Sequence, residues 1–428
     1  MQFPDNYHPL NPNKPVATET SFTINFIGAL LGLFFLLTAN FLGYINPFGL
    51  FITTAVVVFV SITSLEYLIY KKNSPLGMLA IRRPFNLKRC YYKILGLFFV
   101  FTCIMGIYWL FPMFSKGVFN QWIMNLSIIS PIFFLLSIVY VVIMDIIGLE
   151  EKDEYWHIGH YLIHRTNGLS RSALANLARS WLVKLFFLGL MCPWACDKII
   201  WFIATDFSKL TFNNPIALFF AVEGACFAID VLYGAIGYIT CFKLSNTHIR
   251  TTEPTLGGWA CAIMCYWPFW AMVFYPYLFN YGYTNRWMDI FSTGSIGWYI
   301  WGSAIILLEF LYAMATIAGG LRFSNLTYRG LWNTGLYKYT KHPAYVFKNL
   351  SWWLAVMPFA IASPALAIKS SILLLGVNLI YYTRAKTEER HLSHYPEYRE
   401  YALMMNEKSI FRFMEKIFPF LRYKVPHQ

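Results

Sequence analysis

The chain has 428 residues, of which 57% are hydrophobic and only 13% are charged. Soluble domains usually carry about a quarter charged residues, so these proportions exclude an ordinary soluble protein and favour an integral membrane protein. The formal net charge is +13, but the basic residues lie in short loops between apolar runs, as in multi-pass membrane proteins. We therefore expect the chain to contact a membrane bilayer and no nucleic acid.

Ten apolar runs predict an all-α polytopic membrane protein with about ten transmembrane segments. The runs lie at 24–45, 47–70, 92–113, 122–148, 181–204, 214–242, 258–280, 295–320, 350–363 and 367–383. This pattern divides the chain into four parts, which are an N-terminal tail (1–23), a transmembrane region of unknown role (24–294), a C-terminal module (295–405) and a basic tail (406–428).

Positive charge predicts the orientation of these segments. The loop after the second run is rich in basic residues: Lys71, Lys72, Arg82, Arg83, Lys88 and Arg89. Basic residues recur after the fourth, sixth and eighth runs and in the tail, whereas the intervening loops hold only Lys116, Lys209 and Arg286. Because basic loops stay on the cytoplasmic side, we expect both termini and the C-terminal helix in the cytoplasm.

The last two runs differ from the others in length. Residues 350–363 would form a helix of roughly 21 Å, which is shorter than a hydrocarbon core of about 30 Å. Pro364 ends this run. A short helical hairpin that barely crosses the bilayer therefore fits better than two full spans, and its two cytoplasmic ends would bring Tyr345 close to Arg384.

The sequence HIGHYLIH places His157, His160 and His164 on one face of a helix. Four acidic residues precede them: Glu150, Glu151, Asp153 and Glu154. A metal site is conceivable because imidazole and carboxylate suit several transition metals. Interleaved aromatic residues favour an amphipathic helix at the membrane interface, so we predict no metal site.

Polar residues are concentrated between 329 and 401. The first half reads RGLWNTGLYKYTKHPAY, in which Gly330 and Gly335 permit tight backbone turns. Pro343 fixes its own φ and disfavours a helical conformation at His342, so the next helix is predicted to begin there. This places His342 at a helix N-terminus, where free amides can bind a carboxylate.

The second half of this stretch reads RAKTEERHLSHYPEYREY. Arg384 and Glu388 are four residues apart and share a helical face, with Glu389 adjacent. A surface ion pair is the simplest interpretation. The predicted hairpin, however, brings these groups to His342 and Tyr345, so the alternative is a polar pocket beside the bilayer.

Taken together, RGLxxTGLYxYxKHPAY, a short apolar hairpin and RxxxEExxL resemble the isoprenylcysteine carboxyl methyltransferase and phospholipid methyltransferase group, over about residues 320–405. The resemblance implies a module that binds S-adenosylmethionine from the cytosol and a lipid or lipophilic acceptor from the membrane. It implies cofactor contacts by Arg329, Gly330, Leu331, Trp332, Tyr337, His342, Pro343, Ala344, Tyr345 and Glu388.

The resemblance also implies a catalytic role for Arg384, and the chemistry of an amine or thiol acceptor suggests one for Glu389. Arg384 matches the arginine that faces the acceptor, where it would bind substrate through an anionic group. Glu389 is the candidate base if the acceptor must lose a proton. Two positions depart from the family pattern, because Lys341 replaces the commoner arginine and Tyr395-Pro396 stands in place of Phe-Gly.

Two other functions remain open at this point. An NADPH-dependent membrane reductase of the sterol reductase type has a similar C-terminal architecture, but its tail favours an Arg-Asp pair and a cysteine near a KYG sequence. This chain has Thr387-Glu388-Glu389 and no cysteine after Cys265. A non-enzymatic scaffold or transporter is the other alternative, suggested by Glu223 and Asp230 within an apolar run. A carboxylate, an amine or a thiol would each suit the predicted acceptor.

Overall fold

The computed structural model describes residues 18–70, 84–111, 117–148, 152–165, 168, 170–276, 287–361 and 363–426. Several residues used in the predictions lie outside the described residues: 1–17 of the N-terminal tail, Lys71, Lys72, Arg82, Arg83, Lys116, Glu150, Glu151 and Arg286. The fold is all-α, as predicted, apart from one pair of two-residue strands, β1 (Thr251–Thr252) and β2 (Thr327–Tyr328), which run antiparallel.

The α-helices of the described residues are α1 (Phe22–Phe41), α2 (Pro47–Tyr70), α3 (Leu87–Leu110), α4 (Gly117–Ile147), α5 (Glu154–His164), α6 (Arg171–Ala204), α7 (Pro215–Ile239), α8 (Leu256–Ile263), α9 (Trp287–Ile290), α10 (Ile296–Gly319), α11 (Pro343–Val356), α12 (Pro364–Leu392), α13 (Pro396–Lys408) and α14 (Arg412–Ile417). Among them, α1, α2, α3, α4, α6, α7, α10 and α12 are long and apolar enough to cross a membrane. The class of multi-pass integral membrane protein is therefore confirmed.

Side-chain caps fix where several helices begin. The side chain of Asn86 accepts a hydrogen bond from the Arg89 amide at the start of α3, and Ser170 does the same for Ala173 at the start of α6. Such caps satisfy amides that have no partner inside the helix and stabilise it by about 1 kcal/mol each. Short polar motifs thus set the helix ends between the apolar runs.

Two of the ten predicted segments are not long helices in the described part of the chain. The run 258–280 is interrupted, because α8 ends at Ile263 and a short π-helical turn occupies Trp270–Phe274. The run predicted at 350–363 belongs to α11, which begins at Pro343 and has only 14 residues. The eight long helices are therefore fewer than the ten segments predicted.

The predicted hairpin is asymmetric in the structure. Helix α11 ends at Val356, the next residue Met357 has a left-handed φ of 43°, and α12 begins at Pro364. The apolar run of the partner helix ends near residue 383, and α12 continues to Leu392 over 29 residues, in agreement with the predicted helical spacing of Arg384 and Glu388. The hairpin therefore consists of one short and one long helix, and the polar residues after 383 lie on a continuous helix.

The chain forms two compact units. Unit 1 comprises the described residues of Met1–Phe22, Thr255–Ala318 and Gly330–Gln428, and unit 2 those of Thr23–Pro254 and Gly319–Arg329. The predicted boundary at residue 295 differs from this division, because α8 and α9 belong to unit 1. The boundary between Arg329 and Gly330 also divides the polar stretch in two.

In unit 2, α3 and α5 cross in very close contact at Gly96 and Gly159. A Cβ atom at either glycine would overlap backbone atoms of the other helix, so only glycine permits this approach. On α5, the ring of His160 stacks on Trp156 at 4.7 Å, and His164 Nε2 lies 2.6 Å from the hydroxyl of Tyr92. Within the described residues, no group of three side chains could hold a metal ion.

Unit 1 has two buried apolar clusters. One joins α11 to α12 and contains Phe274, Val356, Leu374, Val377 and Tyr381. The other packs α13 against the turn after Gly330 and contains Leu331, Tyr398, Tyr401, Ala402, Met405 and Tyr423. Tyr423 lies in the predicted basic tail, and its burial shows that residues 406–426 fold back onto the unit rather than forming a free tail.

Candidate functional site

The first turn of α11 and the last turns of α12 bring an imidazole, a phenol and two carboxylates together. The hydroxyl of Tyr345 donates a hydrogen bond of 2.8 Å to Glu388 Oε2, and His342 Nε2 lies 3.3 Å from Glu389 Oε1. The rings of His342 and Tyr345 are stacked, with centroids 5.5 Å apart and planes 4° from parallel. Residues far apart in the sequence thus form one polar cluster in unit 1.

Glu389 is the buried carboxylate of this cluster, with only 6% of its side chain exposed. Its oxygens lie 2.8 Å from Lys386 Nζ and 3.5 Å from Lys341 Nζ, in addition to the contact with His342. These basic groups stabilise the ionised carboxylate, which makes it a poor proton acceptor. The position therefore suits a structural role better than the predicted role as a base.

Glu388 is the accessible carboxylate, with 29% of its side chain exposed, and His342 beside it is 17% exposed. Glu388 Oε2 lies 3.9 Å from His342 Nδ1 and accepts the hydrogen bond of Tyr345. Burial, reinforced by the negative charge of Glu388, raises the pKa of Tyr345 well above its usual value. The phenol therefore stays protonated, and its hydroxyl group holds the carboxylate of Glu388 in place by donating a hydrogen bond to it.

Arg384, four residues before Glu388, is enclosed by aromatic rings. Its guanidinium carbon lies 5.0 Å from the ring centre of Tyr345, 5.6 Å from that of Tyr266 and 6.0 Å from that of Tyr381. Contacts of this length are cation–π interactions. The hairpin prediction that Tyr345 lies near Arg384 therefore holds in the structure, and the rings hold the guanidinium in place.

The turn from Gly330 to Tyr337 is also well defined. Gly330 has a φ of +100°, and a Cβ there would lie 2.6 Å from the carboxyl carbon of Glu19. The amide of Glu19 donates a hydrogen bond of 2.8 Å to the carbonyl of Leu331. Trp332 stacks on Tyr337 at 5.1 Å, and both rings are partly exposed. This pair offers a flat apolar surface for a ring system.

Arg329 belongs to unit 2. Its guanidinium donates to the carbonyls of Thr247 at 2.7 Å, Gly237 at 2.8 Å and Phe323 at 3.1 Å. It is only 2% exposed. Of the other predicted cofactor contacts, Pro343 and Ala344 lie on the first turn of α11, and Pro343 is buried.

Sequence reasoning missed several residues of the cluster. Tyr381 lies three residues before Arg384 on α12, so helical spacing could have indicated it. Tyr266 lies in the interrupted apolar run and had no such signal. Glu415 on α14 lies 3.6 Å from Lys341 Nζ. Burial raises the pKa of Glu415, and the lysine charge opposes this effect.

Residues 290–404 match the family described as "Protein of unknown function (DUF1295)". This stretch contains the whole hairpin and the residues His342, Tyr345, Glu388 and Glu389. It resembles a family of steroid 5-alpha reductase-like membrane proteins. No isoprenylcysteine methyltransferase family is matched. No curated protein and no solved structure matches the chain.

Proposed function

We propose that unit 1 binds S-adenosylmethionine and transfers its methyl group to a lipophilic acceptor. The observation that carries this proposal is the fixed, partly exposed carboxylate of Glu388 beside the N-terminus of α11. A fixed carboxylate suits the ammonium group of an amino acid. The free amides at the first turn of α11 suit its carboxylate. The ring pair of Trp332 and Tyr337 offers a surface for the adenine.

The charge balance of the cluster supports this ligand. Lys341 and Lys386, the lysines in contact with Glu389, are already offset by Glu389 and Glu415. A dinucleotide phosphate would bring several negative charges and would need basic groups that are not already paired. S-adenosylmethionine has no phosphate groups, so it needs no unpaired lysine and fits a cluster whose lysines are already paired.

Bound S-adenosylmethionine supplies an electrophilic methyl group on a sulfonium. The protein's task is alignment, because a direct displacement needs the reacting atoms within about 3–3.5 Å and in line. Tyr345 fixes Glu388, and the rings around Arg384 fix the guanidinium that would bind an anionic acceptor. Since Glu389 is a poor base here, an acceptor that needs no proton removal is favoured. Among the acceptors considered, this is a carboxylate.

Titration of the purified protein in detergent with S-adenosylmethionine tests the proposal. We expect binding in the wild-type protein and a loss of affinity of about tenfold or more in Glu388→Gln, because a charge-assisted contact is removed. Glu407→Gln is the matched control, since Glu407 is exposed and pairs only with Arg422 among the described residues. Equal affinity in Glu388→Gln and the wild type would overturn the proposed site.

The acceptor class is tested with methyl-labelled cofactor and a total lipid extract. Transfer to a carboxylate forms a methyl ester, so we expect labelled lipid that releases its label in base. Base-stable label would mean methyl transfer to nitrogen or sulfur. This result would contradict the carboxylate acceptor but not the proposed methyl transfer.

A second candidate is an NADPH-dependent reductase, favoured by the match of residues 290–404 to a steroid 5-alpha reductase-like family. In that case the protonated phenol of Tyr345 would be the proton donor to a lipophilic substrate. The same titration carried out with NADPH separates the two. Binding of NADPH and not of S-adenosylmethionine would replace the first proposal with this one.

A further inference from the structure

Unit 2 contains a cavity of about 1280 Å³ that none of the residues around Glu388 lines. Its walls come from α2, α3, α4 and α6 and from the segment that follows α7. Most of the lining is hydrophobic and includes Phe59, Phe101, Leu126, Phe134 and Leu188. The volume exceeds the range of about 300–1,000 Å³ typical of small-molecule pockets. It therefore suits a molecule the size of a lipid, with its hydrocarbon chain against these walls.

Charged side chains also line the cavity, with an excess of positive charge. Four are basic, namely Lys93, Lys184, Lys243 and Arg250, and two are acidic, namely Asp153 and Glu154. Lys93 Nζ lies 3.2 Å from Asp153. The remaining excess of positive charge favours an anionic group in the occupant.

Lys184 is the charge that most needs such a group. It lies on α6, where it is half-buried, and its ammonium contacts the ring of Trp181 at 4.5 Å. Among the described residues it has no carboxylate within ion-pair distance. A charge inside a membrane protein without a carboxylate is costly unless a ligand or water offsets it. Lys184 lines the cavity, so an anionic group of a molecule bound there would stabilise its charge.

His248 is a second, independent indication on the same cavity wall. Its Nδ1 is buried and has no hydrogen-bond partner in the part of the chain that the structure describes. Buried polar atoms are nearly always hydrogen-bonded, so an orphan atom in a cavity wall points to a missing ligand or water. In the tautomer that carries the proton on Nδ1, His248 can donate a hydrogen bond to an anionic oxygen.

We infer that this cavity is a binding site for one lipid with an anionic headgroup, held by Lys184 and His248. The headgroup oxygen belongs to a phosphate or a carboxylate, and the hydrocarbon chain lies between α2, α3, α4 and α6. This site is distinct from the cluster around Glu388, and it does not depend on methyl transfer.

Native mass spectrometry of the purified protein in detergent tests this inference with three additives. These are phosphatidylglycerol, phosphatidylcholine with the same acyl chains, and oleate. We expect the wild-type protein to retain phosphatidylglycerol or oleate at least about tenfold better than phosphatidylcholine, because only the first two are anionic. Retention of phosphatidylglycerol alone identifies a phosphate headgroup, and retention of oleate alone identifies a carboxylate.

Lys184→Met should abolish this preference, because it removes the charge and keeps the side-chain length. Lys198→Met is the matched control on the same helix, since Lys198 does not line the cavity and lies 3.8 Å from Asp197. Retention of phosphatidylcholine by the wild type that equals its retention of both anionic additives would overturn the inference. An unchanged preference in Lys184→Met would also overturn it.

A second variant tests the cavity without changing its charge. Ser137 lines the cavity from α4, so Ser137→Trp fills part of the apolar volume. We expect this variant to retain less of every additive that the wild type binds. If Ser137→Trp retained the additives as well as the wild type does, the lipid would bind elsewhere and the inference would be wrong. This test holds even if Lys184→Met fails to fold.

Discussion

Both units bury a charge from the same polar stretch, but they satisfy it differently. In unit 2, neutral carbonyls surround the guanidinium of Arg329, and in unit 1, two lysines and an imidazole surround the carboxylate of Glu389. The carbonyls occupy the donors of Arg329, which leaves little for a ligand. The groups around Glu389 include His342, which is partly exposed beside Glu388.

This difference distinguishes a charge that stabilises the fold from a charge that lies beside an accessible polar group. A buried charge held wholly by backbone carbonyls fixes the chain around it and offers a ligand nothing. A buried charge held by side chains can extend to an accessible edge, as it does at His342 and Glu388. The comparison therefore favours Glu388 for the proposed cofactor contact and indicates a structural role for Arg329 and Glu389.

The largest effect is expected at Arg329. Arg329→Met leaves several buried carbonyls without donors, so we expect a loss of about 3–5 kcal/mol in the free energy of unfolding. Thermal unfolding in detergent measures it, with the exposed Arg171→Met as control. Normal stability combined with lost affinity for S-adenosylmethionine would instead support the cofactor contact implied by the family resemblance.

The next effect distinguishes the two adjacent glutamates. Glu389→Gln leaves the buried Lys341 and the partly exposed Lys386 without this carboxylate, so we expect a loss of about 3 kcal/mol in stability. Glu388→Gln should cost less than about 1 kcal/mol, because its side chain is partly exposed. The same unfolding experiment compares them. Equal destabilisation by both variants would remove the distinction between a structural and a functional carboxylate.

A pH effect is expected in unit 2. Burial, together with the positive charges of Lys243, Arg250, Arg329 and Arg322, lowers the pKa of His248 from 6.5 to about 4. Between these values the unfolded chain binds a proton that the folded protein does not, so stability falls as pH falls from 6.5 towards 4. After allowance for partial exposure, we expect a loss of about 2 kcal/mol.

Thermal unfolding measured across that pH range checks this expectation. His248→Gln should show a weaker dependence on pH, since the titrating group is gone. Identical pH profiles for the variant and the wild type would contradict it.

A smaller effect than that of His248 is expected at Tyr345. Tyr345→Phe removes the hydrogen bond to Glu388 and should cost about 1 kcal/mol in stability. It should also lower cofactor affinity, because Glu388 is no longer fixed. Tyr339→Phe is the control, since Tyr339 is 54% exposed. Unchanged cofactor affinity in Tyr345→Phe would show that this hydrogen bond does not position the ligand.

Much of the fold could be predicted from hydropathy, because long apolar runs must form helices that satisfy their own backbone in a membrane. The exceptions have local causes. The run 258–280 is apolar throughout, but it contains Pro268, which lies between α8 and the π-helical turn and cannot donate a helical hydrogen bond, so the sequence does signal this break. The polar last turns of α12 are indicated by the helical spacing of Arg384 and Glu388, and tertiary contacts with Lys341, His342 and Tyr345 hold their charged groups.

The sequence by itself determined where α11 begins, since Pro343 fixes the backbone locally, and which residues of α12 share a face. Tertiary structure alone decided which of Glu388 and Glu389 is buried. Adjacent residues on a helix point about 100° apart, so the packing of Lys341 and α14 against one side buries Glu389 and leaves Glu388 accessible. Tertiary structure also assigned the consecutive residues Arg329 and Gly330 to different units. Arg329 contacts Gly237 and Thr247, whereas Gly330 lies against Glu19.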